Sequence, residues 1–252
     1  MIRLSVNVNK VATLRNSRGG RQPNVVEAVG VCLEAGAAGI TVHPRADQRH
    51  ITPADVHEIA RALEGRRPAI EYNIEGDLRP DLIDLVHAVR PDQCTLVPVV
   101  PGELTSQGGW RPGPETDRLP AAIADLRARG IRVSLFVDPT AEAIRWAGGM
   151  GADRVELYTE PFARAFERGP ADARRSFAAY CAASQVAHEL GLGVNAGHDL
   201  DLDNLVLFRG LPHLDEVSIG HAIISRALFF GLARVVREYR ERLASGMIGT
   251  ST

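Results

Sequence analysis

Stretches with apolar residues at helical spacing alternate along the chain with short runs that are apolar almost throughout, and a glycine stands at many of the junctions. EAGAAGITVHPR (Glu34 to Arg45), RARGIRVSLFVDP (Arg127 to Pro139), GGMGADRVELYTEP (Gly148 to Pro161) and ELGLGVNAGHD (Glu189 to Asp199) repeat this unit. Glycine suits the left-handed residue that ends a helix, and the apolar run behind it reads as a parallel strand buried on both faces. Eight such runs are found: Leu4–Val8, Gly39–His43, Ala69–Asn73, Gln93–Pro98, Arg132–Val137, Arg154–Tyr158, Gly193–Ala196 and Glu216–Ile219. Between them lie helical patterns over Asn24–Ala35, Pro53–Leu63, Pro80–Val89, Leu119–Arg129 and Ala141–Gly148. Asn24 and Thr52 stand where a helix cap is wanted, and Pro53 suits a first helical turn. Eight strands alternating with helices in 252 residues predict an α/β fold, a (β/α)8 TIM barrel forming one domain over residues 1–252. No GxGxxG follows the first strand, which counts against an open dinucleotide-binding sheet.

Two connections are longer than usual for such a fold. Val99–Leu119 is rich in glycine and proline and reads as a lid or a surface excursion; Phe162–Leu190 has room for an extra helix besides the expected one. The final helix is expected over about Ile223–Leu243, with Leu228, Leu232, Val235, Val236, Tyr239 and Leu243 on one apolar stripe. Phe229 and Phe230 would extend that stripe into a subunit contact.

Composition narrows the function. With 45% apolar and 24% charged residues and a net charge of −2, the chain has no overall attraction for nucleic acid or anionic lipid, so any phosphate binding is local. No apolar run approaches the roughly 20 residues that span a bilayer. The start MIRLSVNVNK lacks the apolar core of a signal peptide, and Cys32, Cys94 and Cys181 form no CxxC pair, so a cytoplasmic protein with free thiols is expected.

In this type of barrel the loops after the strands build the reactive face. Polar residues gather at those ends: Asn7, Asn9 and Lys10; His43, Arg45, Arg49 and His50; Glu71 and Asn73; Glu156, Tyr158 and Glu160; Asn195 and His198; Gly220 and His221. His43 and His198 with Glu71 make a plausible acid–base set. There is no HxH or HExxH, and neither a metal nor a cofactor is expected. Gly220-His221 opens the last helix, whose free N–H groups suit an anion. Arg15 and Arg18, beside Gly19-Gly20, and Arg45 with Arg49 form two arginine groups, which suggests two phosphates. Lys10 is the sole lysine among 29 basic residues. It reads as a phosphate-neutralising cation, with an imine-forming amine as the sharper alternative.

The segments VNVNKVATLRNSRGG, GITVHPRADQRHIT, LTSQGG, VSLFVD, VNAGHDL and EVSIGHAIISRAL occur in an order that resembles the pyridoxine 5′-phosphate synthase family, from Leu4 to about Tyr239. The resemblance implies condensation of 3-amino-2-oxopropyl phosphate with 1-deoxy-D-xylulose 5-phosphate to pyridoxine 5′-phosphate, phosphate and water, by a homo-oligomer, an octamer in the family. It assigns His43 as general base, Glu71 as acid/base and His198 as proton donor. It places Asn7, Arg18, Gly220 and His221 at the aminoketone phosphate, and Arg45, His50 and Thr105 at the deoxyxylulose phosphate. Asn9-Lys10 stands where many members have Asp-His, and Asp199 where glycine is common, so the substrate contacts of these three residues depart from the usual pattern. The alternatives are another phosphosugar isomerase or aldolase, and a non-catalytic barrel that binds a vitamin phosphate.

Overall fold

The computed structural model of the chain describes residues 1–99 and 107–245. Eight parallel strands close into a barrel in chain order: β1 (Arg3–Asn7), β2 (Gly39–Val42), β3 (Glu71–Gly76), β4 (Gln93–Leu96), β5 (Arg132–Val137), β6 (Arg154–Leu157), β7 (Gly193–Ala196) and β8 (Leu214–Ile219), with β8 paired back onto β1. The helices are α1 (Asn9–Asn16), α2 (Val25–Glu34), α3 (Pro53–Ala62), α4 (Pro80–Val89), α5 (Leu119–Ala128), α6 (Ala141–Gly149), α7 (Glu160–Arg168), α8 (Pro170–Glu189), α9 (Leu205–Phe208), α10 (His221–Phe230) and α11 (Leu232–Ala244). The room for an extra helix between β6 and β7 is taken by α7 and α8. Asn24 caps α2 by accepting from Val26 and Glu27 N–H, and Thr52 with Asp55 forms a capping box on α3.

Strand pleat sorts the side chains. Val6, Ile40, Tyr72, Ile74, Val133, Leu135 and Val155 are fully buried, on the positions that face the helices; Tyr72 donates to the carbonyl of Val56 in α3. Removing each such aliphatic from water contributes roughly 1.5–3 kcal/mol. The alternate positions face inward and are polar: Ser5 meets Thr41 at 2.7 Å, Asn73 donates to Thr41 at 3.4 Å, and Thr95 donates to Asn73 at 3.0 Å. The middle of this barrel is thus a hydrogen-bonded polar layer, not the usual filling of branched aliphatics.

Two expectations are corrected. β3 begins at Glu71 and runs to Gly76 rather than covering Ala69–Asn73, because the E-x-N-x-E alternation continues its inward row past Asn73. The last helix is two, α10 and α11, broken at Gly231, whose φ of 82° is open to glycine without strain. The break takes Leu228 off the buried stripe, leaving it 68% exposed beside Phe229 at 82%. The lid or excursion expected over Val99–Leu119 falls partly outside the described residues; of its described part, Gly109, Trp110 and Thr116 are buried. Trp110 is buried and donates to the Leu96 carbonyl, and Gly109 lies so close to Val137 that a Cβ there would sit 2.3 Å from its Cα.

Candidate active site

The carboxyl ends of the strands carry a compact set of titratable groups. Glu75 is the fifth residue of β3, His43 follows β2, Glu156 is the third residue of β6, and His198 follows β7. His43 Nδ1 stands 3.7 Å from Glu75 Oε2, and His198 Nδ1 stands 3.6 Å from Glu156 Oε1. Two histidine–carboxylate pairs therefore share one mouth. His43 Nε2 is buried and has no hydrogen-bond partner among the described residues. The His198 side chain keeps 29% exposure, so a bound molecule can reach it.

First-strand residues brace this set. Asn7 donates to Glu75 at 3.4 Å and accepts from the Asn9 N–H at 3.0 Å; Asn9 Oδ1 in turn accepts from the His43 N–H at 2.9 Å. The Asn9 side chain is thus spent on the backbone of His43. As an amide it does so without adding a negative charge next to Glu75.

The protonation states are set apart by environment. Burial first, then the nearby His50, Arg45, His198 and Arg79, holds the His43 imidazole well below its ordinary range, so it is neutral near pH 7. Burial and then the negative Glu156 push the Glu75 carboxyl up to about 8, with His198 opposing. For His198 burial disfavours the charge, but the hydrogen bond and charge of Glu156, with Glu75 and Asp199, outweigh it and raise the ring to about 9. One histidine is ready to accept a proton and the other to give one.

Of the expected anion-binding residues, Arg45 and His50 lie within electrostatic reach of His43. Arg45 and His50 are buried on the β2 exit. His50 Nδ1 accepts from the Ile51 N–H at 2.9 Å, so its neutral ring offers Nε2–H as a donor; burial, Arg45 and Lys10 lower it to about 4. Lys10, the second residue of α1, is close enough for its charge to be felt by His50. Gly220 caps α10 where a Cβ would come 2.9 Å from the Asn7 carbonyl oxygen, so glycine lets the amino end of that helix lie against β1. His221 and Arg18 are exposed, on α10 and in the turn after α1. Asp199 is exposed with φ of 62°. Thr105 lies outside the described residues.

Three sequence expectations differ in the structure: Glu71 does not reach the mouth, and Arg15 and Arg49 are already paired with carboxylates. Glu71 is the first residue of β3, at the opposite end of the barrel; four residues of strand separate it from Glu75, roughly 13 Å. There it meets Arg132 at 2.5 Å and Arg3 at 3.4 Å. Arg15 has its guanidinium engaged at both nitrogens by Asp55, at 2.5 and 2.8 Å, and Arg49 pairs with Asp47 at 2.5 Å. Sequence reasoning missed Glu75 as a site residue, although its place before the Gly76-Asp77 turn marked it as a strand end. It saw Glu156 at a strand end but gave it no part in the acid–base set.

Comparison with known proteins gives a consistent result. The family described as pyridoxal phosphate biosynthesis protein PdxJ matches residues 4–245. The chain is 50% identical to the pyridoxine 5′-phosphate synthase of Porphyromonas gingivalis over 245 residues, covering 97% of this chain and 100% of the relative. It is 51% identical to that of Bacteroides fragilis over 244 residues, covering 96% and 100%. Among solved structures it resembles thiamine phosphate pyrophosphorylase from Pyrococcus furiosus, with a TM-score of 0.61 and 17% identity over 98% of this chain and 97% of that one. Phosphoribosyl anthranilate isomerase from Thermotoga maritima aligns with a TM-score of 0.60 and 12% identity over 97% and 100%. At such identities these structures speak for the barrel alone.

Proposed function

The chain belongs to the PdxJ family of pyridoxine 5′-phosphate synthases, and from that premise we propose how the barrel mouth divides the work of the reaction. Its activity is that of a pyridoxine 5′-phosphate synthase, an enzyme of vitamin B6 biosynthesis. The substrates in this reading are 3-amino-2-oxopropyl phosphate and 1-deoxy-D-xylulose 5-phosphate; the products are pyridoxine 5′-phosphate, inorganic phosphate and water. Imine formation, dehydration and ring closure each need protons moved near neutral pH. His43 accepts a proton at Nε2. Glu75, protonated below about 8, passes protons within the same pocket. His198 gives a proton to the departing oxygen, and Glu156 keeps its ring charged for that task. Glu75 replaces Glu71 in the catalytic set.

Two anion cradles hold the substrates. Asn7, Arg18, Gly220 and His221 receive the aminoketone phosphate at the amino end of α10, where helix N–H groups favour an anion. Arg45, His50 and Lys10, with Thr105, receive the deoxyxylulose phosphate. Asn9 acts through the His43 backbone, and the Asp199 backbone borders the pocket. The single observation that carries the reading is the buried His43 ring, with Nδ1 facing Glu75 and Nε2 without a hydrogen-bond partner among the described residues. Incubating the purified protein with both phosphorylated substrates tests it: pyridoxine 5′-phosphate and phosphate should form together, and His43→Asn should form neither. Phosphate release without the ring product would end this reading.

A homo-oligomer belongs to the same proposal, supported by the exposed apolar edge of Leu228, Phe229 and Phe230. Sedimentation of Phe229→Glu against the parent chain tests it. A cytoplasmic location fits the unpaired thiols of Cys32, Cys94 and Cys181. Among the described residues no helix is long and apolar enough to cross a membrane.

A further inference from the structure

His198 stands on a turn whose backbone is unfavourable by itself. Asp199 holds φ of 62°, a left-handed conformation that glycine adopts freely and that costs an aspartate a modest amount of free energy. Something must keep that turn in place, since the next strand has not begun and α9 starts only at Leu205. Two buried side chains do so from different elements. Thr159, just past β6 and fully buried, donates its hydroxyl to the His198 carbonyl. Asn204, 3% exposed, donates Nδ2 to the Asp199 carbonyl at 2.9 Å. Asn204 is itself fixed, because its Oδ1 accepts from the Asp201 N–H at 3.0 Å and its own N–H donates to Asp201 Oδ1 at 2.8 Å. On the third side Gly197 packs so tightly on β8 that a Cβ would sit 2.1 Å from the Ser218 carbonyl oxygen. The Phe136 ring, edge-on at 5.1 Å, bounds the imidazole from β5.

We propose that Thr159 and Asn204 are positioning residues for the proton donor: by gripping the consecutive carbonyls of His198 and Asp199 they hold a strained turn in the one place where the imidazole meets Glu156 and the substrate. Neither side chain reaches the reacting atoms. This rests on the reading of His198 given above. The contact they protect is 3.6 Å long, so a shift of about 1 Å would break it, and misplacements of that size cost roughly a hundred-fold in rate. The titratable groups around His198 are Glu156 on β6, Glu75 on β3, His43 after β2 and Asp199 on its own turn. None of them changes when Thr159 or Asn204 is replaced, so any change in the His198 titration reports its position.

The test uses the full-length protein and both substrates. Thr159→Val keeps shape and loses the donor; Thr159→Ser keeps the donor. We expect Thr159→Val and Asn204→Ala each to lower kcat by about ten-fold or more while KM moves by less than about three-fold, with Thr159→Ser near the parent. The His198 imidazole, followed by nitrogen NMR across pH, should titrate lower in the two impaired variants than in the parent. Asp199→Gly removes the left-handed cost, so Asn204→Ala should cost markedly less in that background. Parent-like kcat and parent-like His198 titration in both variants overturn the proposal. So does equal impairment of Thr159→Val and Thr159→Ser, or an undiminished Asn204→Ala effect in the glycine background. If Thr159→Val does not fold, the Asn204 pair of measurements decides. Full turnover by His198→Asn would instead sink the proton-donor reading itself.

Discussion

Buried carboxylates occupy both ends of this barrel, and their partners differ. At the carboxyl end Glu75 and Glu156 face His43 and His198; at the amino end Glu71 and Glu216 face Arg3, Arg132 and, through charge, Arg154. Titration alone does not separate the two regions. Glu216 is pushed up to about 8 by burial and by Glu71, matching the value for Glu75. The size of a cavity does not separate them either: an open depression of about 570 Å³ lies at the amino end, lined by Arg3, Arg67, Glu71, Arg90, Arg129 and Arg132. The chemistry of the partner does. Arginine keeps its proton at any accessible pH, so the amino-end cluster can hold charge but cannot pass protons on. Histidine exchanges protons near neutrality, so the same carboxylate beside it becomes part of a relay. A perturbed carboxyl marks a candidate site only when its neighbour can also titrate.

The most severe test of this contrast exchanges one carboxylate at each end. Glu75→Gln should lower kcat by about 10² to 10⁴-fold, the usual worth of a general acid–base group, while the protein remains folded by circular dichroism. Glu71→Gln should leave kcat within a few-fold. It should instead lower stability to urea by about 1–3 kcal/mol, because Arg132 and Arg3 lose their counter-charge. Loss of turnover in a folded Glu71→Gln would erase the distinction between the ends.

A second test sharpens the role of the mouth pairs. With His198 raised to about 9, kcat/KM should fall as pH rises through that value and the donor loses its proton. Glu156→Gln removes the main cause of the raised value, so its alkaline limb should move to lower pH, with activity at pH 8.5 reduced by about ten-fold or more. A pH–rate profile with an unmoved alkaline limb would detach Glu156 from His198.

Gly220→Ala probes the first anion cradle. Its added methyl would press on Asn7, with contacts of 2.9 and 3.0 Å, and should raise KM for the aminoketone phosphate by about ten-fold with a smaller change in kcat. Initial-rate kinetics at saturating second substrate would reveal this split. An unchanged KM would remove the α10 terminus from the phosphate site.

The smallest effect is expected at the amino end. Because the Glu216 value is raised in the folded state, the native protein binds more protons than the unfolded chain between pH 4.5 and about 8, and stability falls as pH rises through that window. Glu216→Gln should flatten that decline, as judged by urea unfolding at pH 5 and pH 8. Identical slopes in parent and variant would mean that Glu216 is ionised throughout.

Much of this was legible along the chain. The apolar runs behind glycines named eight strands, and β5 and β7 fell on the expected residues, because a parallel strand buried on both faces leaves an unbroken apolar signature. β3 did not, since its inward row is polar: in EYNIEG the glutamates at 71 and 75 look alike to a periodic reading, and both point into the barrel. The break at Gly231 was hidden in the same way, as a glycine inside an otherwise continuous helical stripe.

The amino-acid sequence by itself determined the barrel, its family, and the histidines and glycines of its motifs, since these follow from periodicity and from local spacing. Only the tertiary structure decided which glutamate stands beside His43 at the barrel mouth, that Arg15 and Arg49 are engaged by Asp55 and Asp47, and that Asn9 braces His43. The reason is geometric. Position along a strand fixes the end of the barrel a side chain occupies, and its partners there arrive from segments distant in the chain, which no local pattern encodes.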